Sequence, residues 1–180
     1  MWWTLIQQYW QVCLFSRTPD DTPHSGFLLA TVIFFFLAVL LLQWEWVEQS
    51  AQFTFPSTLA AAFSLVISYG LYTFFLLKAL KLSNRVLQTL TCLYICHLIV
   101  HLFAFPLIFA MPLVDAKSMA QSPPVLFIMV YLLIALGLTI WQFLLSVFIY
   151  KKALSTGYFS AVLASCGLLA ANMLLVSFWR

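Results

Sequence analysis

Five long apolar stretches dominate the pattern of hydrophobic and polar positions along the chain. They cover residues 26–47, 56–80, 86–114, 123–150 and 156–179. A transmembrane helix needs about 20 consecutive apolar residues, so each stretch is long enough to cross a bilayer once. Short connections between the stretches favour antiparallel neighbours. The pattern therefore predicts an all-α fold, a polytopic membrane helical bundle whose five transmembrane helices make up a domain of residues 26–180.

A further helix is predicted ahead of the crossings, in the sequence MWWTLIQQYWQVCLFS at residues 1–16. Its polar side chains recur at helical spacing and form one narrow stripe, while apolar side chains fill the remaining circumference. The stripe consists of Thr4, Gln7, Gln8 and Gln11. Such an amphipathic helix lies in the membrane interface, and we expect Trp2, Trp3 and Trp10 to anchor it there. Residues 1–25 are thus predicted to be a cytoplasmic interfacial helix and linker; the alternative is a helix that docks on the bundle.

The composition excludes a soluble globular domain. Of the 180 residues, 64% are hydrophobic and 7% are charged, whereas soluble domains carry about 25% charged residues. The net charge of +3 is spread over the connections and gives no reason to expect nucleic acid as a partner. The predicted partners are the lipid bilayer and other membrane proteins, and the oligomeric state is left open.

The basic residues predict the orientation of the bundle, because cytoplasmic loops carry an excess of lysine and arginine. With the N-terminus in the cytoplasm, two of the eight basic residues, Lys117 and Arg180, lie outside. The others lie inside, and they are Arg17, Lys78, Lys81, Arg85, Lys151 and Lys152. We therefore expect the C-terminus outside, and the short connections favour a bacterial inner membrane.

The stretch CLYICHLIVH, residues 92–101, is the richest in reactive side chains among the crossings. Its two cysteines lie four residues apart, and so do its two histidines. At about 100° per residue the four side chains do not share one helix face, so one metal ion could not bind all of them. A buried polar seam is the favoured interpretation, without metal or cofactor. The candidate polar membrane site comprises His97, His101, Gln142 and Thr139, with Tyr69 at a similar depth.

Pro106 adds a second polar feature to the same crossing. A proline has no N–H to donate to the carbonyl group four residues earlier, here that of Leu102. A kink at this point would open a small polar notch beside His101. The alternative is a helix that simply kinks or ends early at the proline.

Two lines of small residues predict close helix packing. Small side chains let helix backbones approach, which matters in lipid because little hydrophobic drive acts between helices there. One line, in the second crossing, is Ala60, Ser64 and Ser68; the other, in the fifth crossing, is Ser160, Ala164, Gly167 and Ala171. We expect these contacts within one chain, although contacts between chains would fit the same pattern.

The polar segment RTPDDTPHS, residues 17–25, connects the N-terminal helix to the first crossing. Its prolines and aspartates favour a turn, while Asp20, Asp21 and His24 are alternatively candidate ligands of a cation. An amphipathic cytoplasmic N-terminus, this segment and five closely spaced crossings together resemble the Yip1 family of small polytopic membrane proteins. The resemblance covers the whole chain as topology, and it implies a scaffold or accessory protein without catalytic residues.

Three functions fit these patterns. The sequence has no glycine-rich phosphate loop, no H-E-x-x-H and no G-x-S-x-G, patterns that mark several enzyme classes, and we predict no catalytic residues. The favoured interpretation is a non-enzymatic integral membrane scaffold or accessory protein. The alternatives are a small transporter or channel subunit with a midplane polar site around His97 and His101, and a metal- or haem-binding membrane subunit.

Overall fold

The computed structural model describes residues 2–47, 55–114 and 125–179. These residues form six α-helices, which are α1 (Trp2–Cys13), α2 (Gly26–Val47), α3 (Phe55–Ala79), α4 (Val86–Val114), α5 (Val125–Leu154) and α6 (Tyr158–Trp179). Helices α2 to α6 are each long and apolar enough to cross a membrane. The prediction of an all-α bundle with five candidate membrane spans is confirmed, and the protein is an integral membrane protein.

The ends of the crossings differ from the prediction by a few residues, most clearly in α5. This helix was expected to end at residue 150, but it continues to Leu154 and takes Lys151 and Lys152 into its last turn. Lysine stems lie along apolar surface while their ammonium groups reach the interface, and positive charge is favourable at a helix C-terminus. The helix ends where Ser155 adopts a left-handed conformation, with φ of 51°.

Helix α4 occupies the centre of the bundle, where it packs against both α2 and α5. Helix α6 packs against α3 and α5, and α2 also contacts α3. The largest fully buried side chains include Phe36, Tyr94, Leu145 and Tyr150. This arrangement brings the middle of α3, α4, α5 and α6 together, and the polar side chains of those helices meet there.

Three connections lie at the same end of the bundle. The Nη1 atom of Arg85 donates hydrogen bonds to the carbonyl oxygens of Lys152, at 3.1 Å, and Ala153, at 3.2 Å. The Nε2 atom of Gln88 donates to the carbonyl oxygen of Pro19 at 3.0 Å. The linker after α1, the α3–α4 connection and the α5–α6 connection are therefore neighbours, as short antiparallel links require. Lys117 and Arg180, predicted at the opposite end, lie outside the described residues.

Helix α1 docks on the bundle by one of its faces. Tyr9, Val12 and Cys13 are buried there, and α1 packs against α4. The Tyr9 hydroxyl group donates to the carbonyl oxygen of Pro23 at 2.5 Å, and the indole N–H of Trp141 donates to the carbonyl oxygen of Cys13 at 3.1 Å. Burial raises the pKa of Tyr9, which keeps its hydroxyl group protonated as a donor.

The rest of α1 presents two different surfaces. Beside the docked face runs an exposed apolar strip of Trp3, Ile6, Trp10 and Leu14. The polar stripe lies beyond it, with Thr4 and Gln7 exposed and Gln8 and Gln11 half-buried. Trp3 is 76% exposed and Trp10 is 36% exposed. The ring of Trp10 packs against the ring of Phe103. Helix α1 is therefore three-sided, with a docked face, an exposed apolar strip and a polar stripe. The side chain of Trp2 lies outside the described residues.

The small-residue lines meet larger side chains at the contact between α3 and α6. The Tyr72 hydroxyl group donates to the carbonyl oxygen of Ala164 at 2.8 Å, and its ring lies where a side chain at Gly167 would be. The indole of Trp179 donates to the Ser64 hydroxyl group at 3.1 Å. Of the remaining members, Ser68 is buried, Ala60 and Ala171 are half-buried, and Ser160 is exposed.

Candidate functional site

The imidazole ring of His97 links three helices near the middle of the bundle. Its Nδ1 atom lies 2.8 Å from the Tyr69 hydroxyl oxygen on α3, and its Nε2 atom lies 2.9 Å from the Ser146 hydroxyl oxygen on α5. The side-chain amide of Gln142, also on α5, reaches Nδ1 at 3.1 Å. With only 2% of its surface exposed, His97 has polar partners for both ring nitrogens.

The neighbouring contacts assign the proton on this ring. The side-chain nitrogen of Gln142 can only donate, and it reaches Nδ1 at 3.1 Å, so the proton of the neutral ring lies on Nε2 and is donated to Ser146, whose own hydroxyl group lies 3.1 Å from the carbonyl oxygen of Gln142. The Nδ1 atom is then an acceptor with a single lone pair. Tyr69 and Gln142 compete for that lone pair, and the contact with Tyr69 is the shorter one. One N–H of the Gln142 amide thus lies against His97 and the Tyr69 hydroxyl group, and its second N–H remains for another partner.

His101 belongs to a different polar cluster. Its Nδ1 atom lies 2.7 Å from the side-chain oxygen of Gln43 on α2, and its ring packs edge-on against Phe36 at 5.5 Å between centroids. The two histidines are one helical turn apart, but they face different neighbouring helices. The structure therefore divides the predicted polar membrane site: His97 and Gln142 come together, and His101 does not join them.

The region around Pro106 is helical throughout. Helix α4 continues to Val114, so the alternative of an early end is wrong. The Nε2 atom of Gln43 donates to the carbonyl oxygen of His101 at 2.6 Å, next to the carbonyl of Leu102 that the proline leaves without its usual donor. A glutamine side chain therefore lies beside the carbonyl group that the proline leaves without a donor, and the kink at Pro106 stays a prediction.

The cysteines of CLYICHLIVH turn away from both histidine clusters. The sulfur of Cys92 lies 3.2 Å from the Thr22 hydroxyl oxygen in the linker, and Cys13 and Cys96 are buried in the same core. All four cysteines are free thiols, and Cys166 is the exposed one. The two cysteines and two histidines of this stretch thus belong to three separate clusters rather than to one site.

The described residues contain no group of three or more His, Cys, Asp or Glu side chains placed to hold a metal ion. In the linker, the Asp21 carboxylate accepts a hydrogen bond from the Thr18 hydroxyl group at 2.7 Å, and Arg17 donates to the carbonyl oxygen of Asp21 at 3.2 Å. These contacts are those of a compact turn.

A cavity of about 410 Å³ opens between α5 and α6 above the His97 cluster. Its lining combines a polar floor with apolar walls. The floor includes Tyr69, His97, Gln142, Ser146 and Asn172, and the walls include Ile140, Phe143, Leu168 and Leu169. Small-molecule sites have this combination of mostly apolar walls and a few convergent polar groups, in volumes of about 300–1,000 Å³.

The mouth of the cavity lies on the side of the bundle rather than at its ends. Thr139, Ile140, Cys166 and Leu169 line the cavity and are themselves exposed. They lie near the middle of two candidate membrane spans, which is the depth at which the two helices would cross the hydrocarbon of a bilayer. Thr139, part of the predicted site, donates to the carbonyl oxygen of Ala135 at 2.9 Å and occupies the rim rather than the His97 network.

One polar atom of the lining has no partner within the described part of the chain. The side-chain oxygen of Asn172 is buried and unpaired, and Asn172 also approaches the Tyr69 hydroxyl group. A buried acceptor without a partner costs free energy, so a ligand or water that donates to it would be stabilised. The sequence interpretation missed Asn172, Ser146 and Gln43, although each is a polar residue within an apolar run.

Comparison with known proteins gives no relative: no family model, curated protein or solved structure matches the chain. The geometry of the site itself is therefore the basis for any functional assignment.

Proposed function

We propose that this chain is an integral membrane protein that binds a small molecule inside the bilayer, at the cavity between α5 and α6. This corresponds to the transport or channel alternative of the sequence interpretation, with the binding site at His97 and Gln142 and without His101. The three-helix network around His97 supports the proposal, because it holds a set of neutral donors and acceptors in fixed positions at the floor of an open cavity.

Packing alone would not require the cavity. Interiors of folded proteins are close-packed, with few voids larger than a water molecule. Here about 410 Å³ remains open directly over buried polar groups, and Asn172 contributes an acceptor that no described residue satisfies. An open cavity beside an unpaired polar atom is typical of a ligand-binding site.

Native mass spectrometry of the protein, extracted gently from its membrane, tests this proposal. We expect a molecule of defined mass to remain bound to the unmodified protein. Leu169→Trp should displace it, because Leu169 lines the mouth of the cavity. Leu174→Trp is the matched control, since Leu174 is 73% exposed and does not line the cavity. Equal retention in both variants, or no retained molecule in any of the three proteins, would contradict the proposal.

The orientation with the N-terminus and the α3–α4 and α5–α6 connections in the cytoplasm, in a bacterial inner membrane, remains part of the proposal. It is supported by Arg17, Lys81, Arg85 and Lys151, which belong to the same end of the bundle. Labelling of cysteines introduced at Lys81 and Lys151 with a membrane-impermeant reagent, in whole cells and in inverted vesicles, tests it. Labelling in whole cells would contradict the orientation.

A scaffold or accessory role, the favoured sequence interpretation and the one that a Yip1-like assignment implies, is the second candidate. It is supported by the N-terminal half of α5, in which residues 125–138 are exposed or half-buried and none is buried. Its exposed apolar side chains point in several directions and include Leu126, Met129, Val130, Leu132, Leu133 and Leu136. A partner helix in the membrane would cover part of this surface.

Photocrosslinking separates the two candidates. A photoreactive amino acid at Leu133 should capture a partner protein if α5 is a docking helix, whereas one at Phe159, which is 78% exposed on α6, serves as the control. Crosslinks to lipid alone from Leu133 would favour the ligand-binding function and exclude docking through this face.

A further inference from the structure

We infer that the ligand of the α5–α6 cavity is a neutral lipid with a free hydroxyl group, which enters sideways from the bilayer and lies with its hydrocarbon chain along the apolar walls and out through the mouth. This inference rests on the proposed function and narrows it to a chemical class. Long-chain alcohols and monoacylglycerols both belong to that class.

The absence of charge from the lining determines the charge of the ligand. Among the described residues that line the cavity, none is an aspartate, glutamate, lysine or arginine. A charged head group at this depth would lack a counter-ion, and charge in the middle of a bilayer is costly. Neutral donors and acceptors, by contrast, are provided by Gln142, Ser146 and Asn172.

The hydrogen-bond donors and acceptors left unused at the floor of the cavity determine which polar group the ligand carries. The Gln142 amide has two N–H groups; one lies against the His97 Nδ1 atom, at 3.1 Å, and the Tyr69 hydroxyl group, and the other can donate to a ligand. The buried oxygen of Asn172 has no donor within the described part of the chain, so a ligand that donates to it would be stabilised. A hydroxyl group accepts and donates through one oxygen atom, whereas a ketone, an ether or an ester can only accept.

Two other polar side chains of the lining do not alter this account. The Ser165 hydroxyl group donates to the carbonyl oxygen of Ala161 at 3.0 Å, and the Thr139 hydroxyl group donates to Ala135 at 2.9 Å. Both have used their one hydrogen within their own helix, so each offers only an acceptor. Gln142 and Asn172 are therefore the two residues that we expect to hydrogen-bond with the hydroxyl group of the ligand.

The route of access follows from the position of the mouth. Ile140, Cys166 and Leu169 are exposed between α5 and α6 near the middle of both helices. A molecule that reaches the floor from this side crosses no aqueous phase, and its chain can remain against the apolar walls. A neutral amphiphile dissolved in the bilayer can reach the floor from the lipid and can place its chain against the apolar walls. A water-soluble solute can do neither.

Photoaffinity capture by the full-length protein in lipid nanodiscs tests the inference. The probes are a long-chain alcohol and a monoacylglycerol with a diazirine in the chain, the matched methyl ether of the alcohol, and the matched fatty acid. Peptide mapping then locates the crosslinks. We expect both hydroxyl probes to label residues that line the cavity, and the ether to label them at least about tenfold more weakly, because a site built to bind a hydroxyl group rejects the analogue that lacks it.

Two variants test which residues make the cavity prefer the alcohol over the ether. Asn172→Leu should abolish the preference for alcohol over ether, since the acceptor is gone. Ser160→Ala, at an exposed position of α6 that does not line the cavity, should leave the preference unchanged within about twofold. Thermal unfolding of each variant in the same detergent checks that the bundle remains folded.

The possible outcomes separate this inference from the proposed function. Equal labelling of the cavity by the alcohol and the ether, or stronger labelling by the fatty acid, would overturn the ligand class while leaving a binding cavity. A preference that survives in Asn172→Leu would also overturn it. Failure of every probe to label residues of the cavity would overturn the ligand class, and the native mass spectra of the unmodified protein and Leu169→Trp then decide whether the cavity binds any molecule.

Discussion

The Nδ1 atom of His97 lies 2.8 Å from the hydroxyl oxygen of Tyr69, and this contact joins α4 to α3 at the floor of the α5–α6 cavity. On the other side of the ring, Ser146 joins α4 to α5. A single neutral imidazole thus holds together the helices that form the base of the candidate site.

The first prediction concerns this imidazole. His97→Leu should lower the free energy of unfolding by about 1 kcal/mol, because it leaves the buried Tyr69 hydroxyl group without its acceptor. His97→Gln should be tolerated better, since an amide both donates and accepts. Unfolding in mixed detergent, followed by circular dichroism, measures the difference.

A metal- or haem-binding role for His97 makes the opposite prediction. Both substitutions would then strip the bound metal or the haem absorbance from the purified protein. Finding equimolar metal in the unmodified protein that is lost in His97→Gln would contradict the structural role of the imidazole.

The second prediction concerns the contact between α3 and α6. Gly167→Ala should destabilise the bundle by about 1 kcal/mol, because a Cβ atom would overlap the Tyr72 hydroxyl group and break its hydrogen bond to Ala164. Gly137→Ala is the control, since no atom lies within 4 Å of a Cβ atom at that position. Equal thermal stability of the two variants would show that Tyr72 does not occupy this groove.

The third prediction concerns the three-sided helix α1. Nitroxide labels at Trp3→Cys and Gln7→Cys, in a Cys166→Ser background that removes the exposed native thiol, should report different surroundings. The label at position 3 should be more accessible to oxygen dissolved in lipid, and the label at position 7 to a water-soluble nickel complex. Similar accessibility at both positions would contradict an interfacial helix and leave docking on the bundle as its only role.

The fold was predictable because lipid permits so few solutions. In a bilayer every backbone polar group must be paired within the protein, so a long apolar stretch becomes a helix. Five such stretches determined the number of crossings and, within a few residues, their ends. The predicted fourth crossing ends at residue 150 and leaves out Lys151 and Lys152, although lysine side chains can extend from the last turn of a helix to the interface.

The site was only partly predictable, for a related reason. The outward face of a membrane helix is as apolar as its inward face, so the periodicity that identifies the core side of a soluble helix is missing. The depths of His97, Gln142 and Tyr69 could be estimated from their positions, but the helix that each side chain faces could not. The sequence therefore groups His101 with His97, whereas the partner of His101 in the structure is Gln43.

The most direct test of the central claim is solid-state NMR of the protein in bilayers, observing the side-chain amide protons of Gln142. If the α5–α6 cavity binds a molecule from the lipid phase, these protons should show cross-peaks to hydrocarbon chain protons of a non-protein molecule. The same chain protons should show cross-peaks to Leu169 at the mouth. Cross-peaks from the Gln142 amide to water and protein alone would contradict the claim that this cavity is a lipid-accessible binding site.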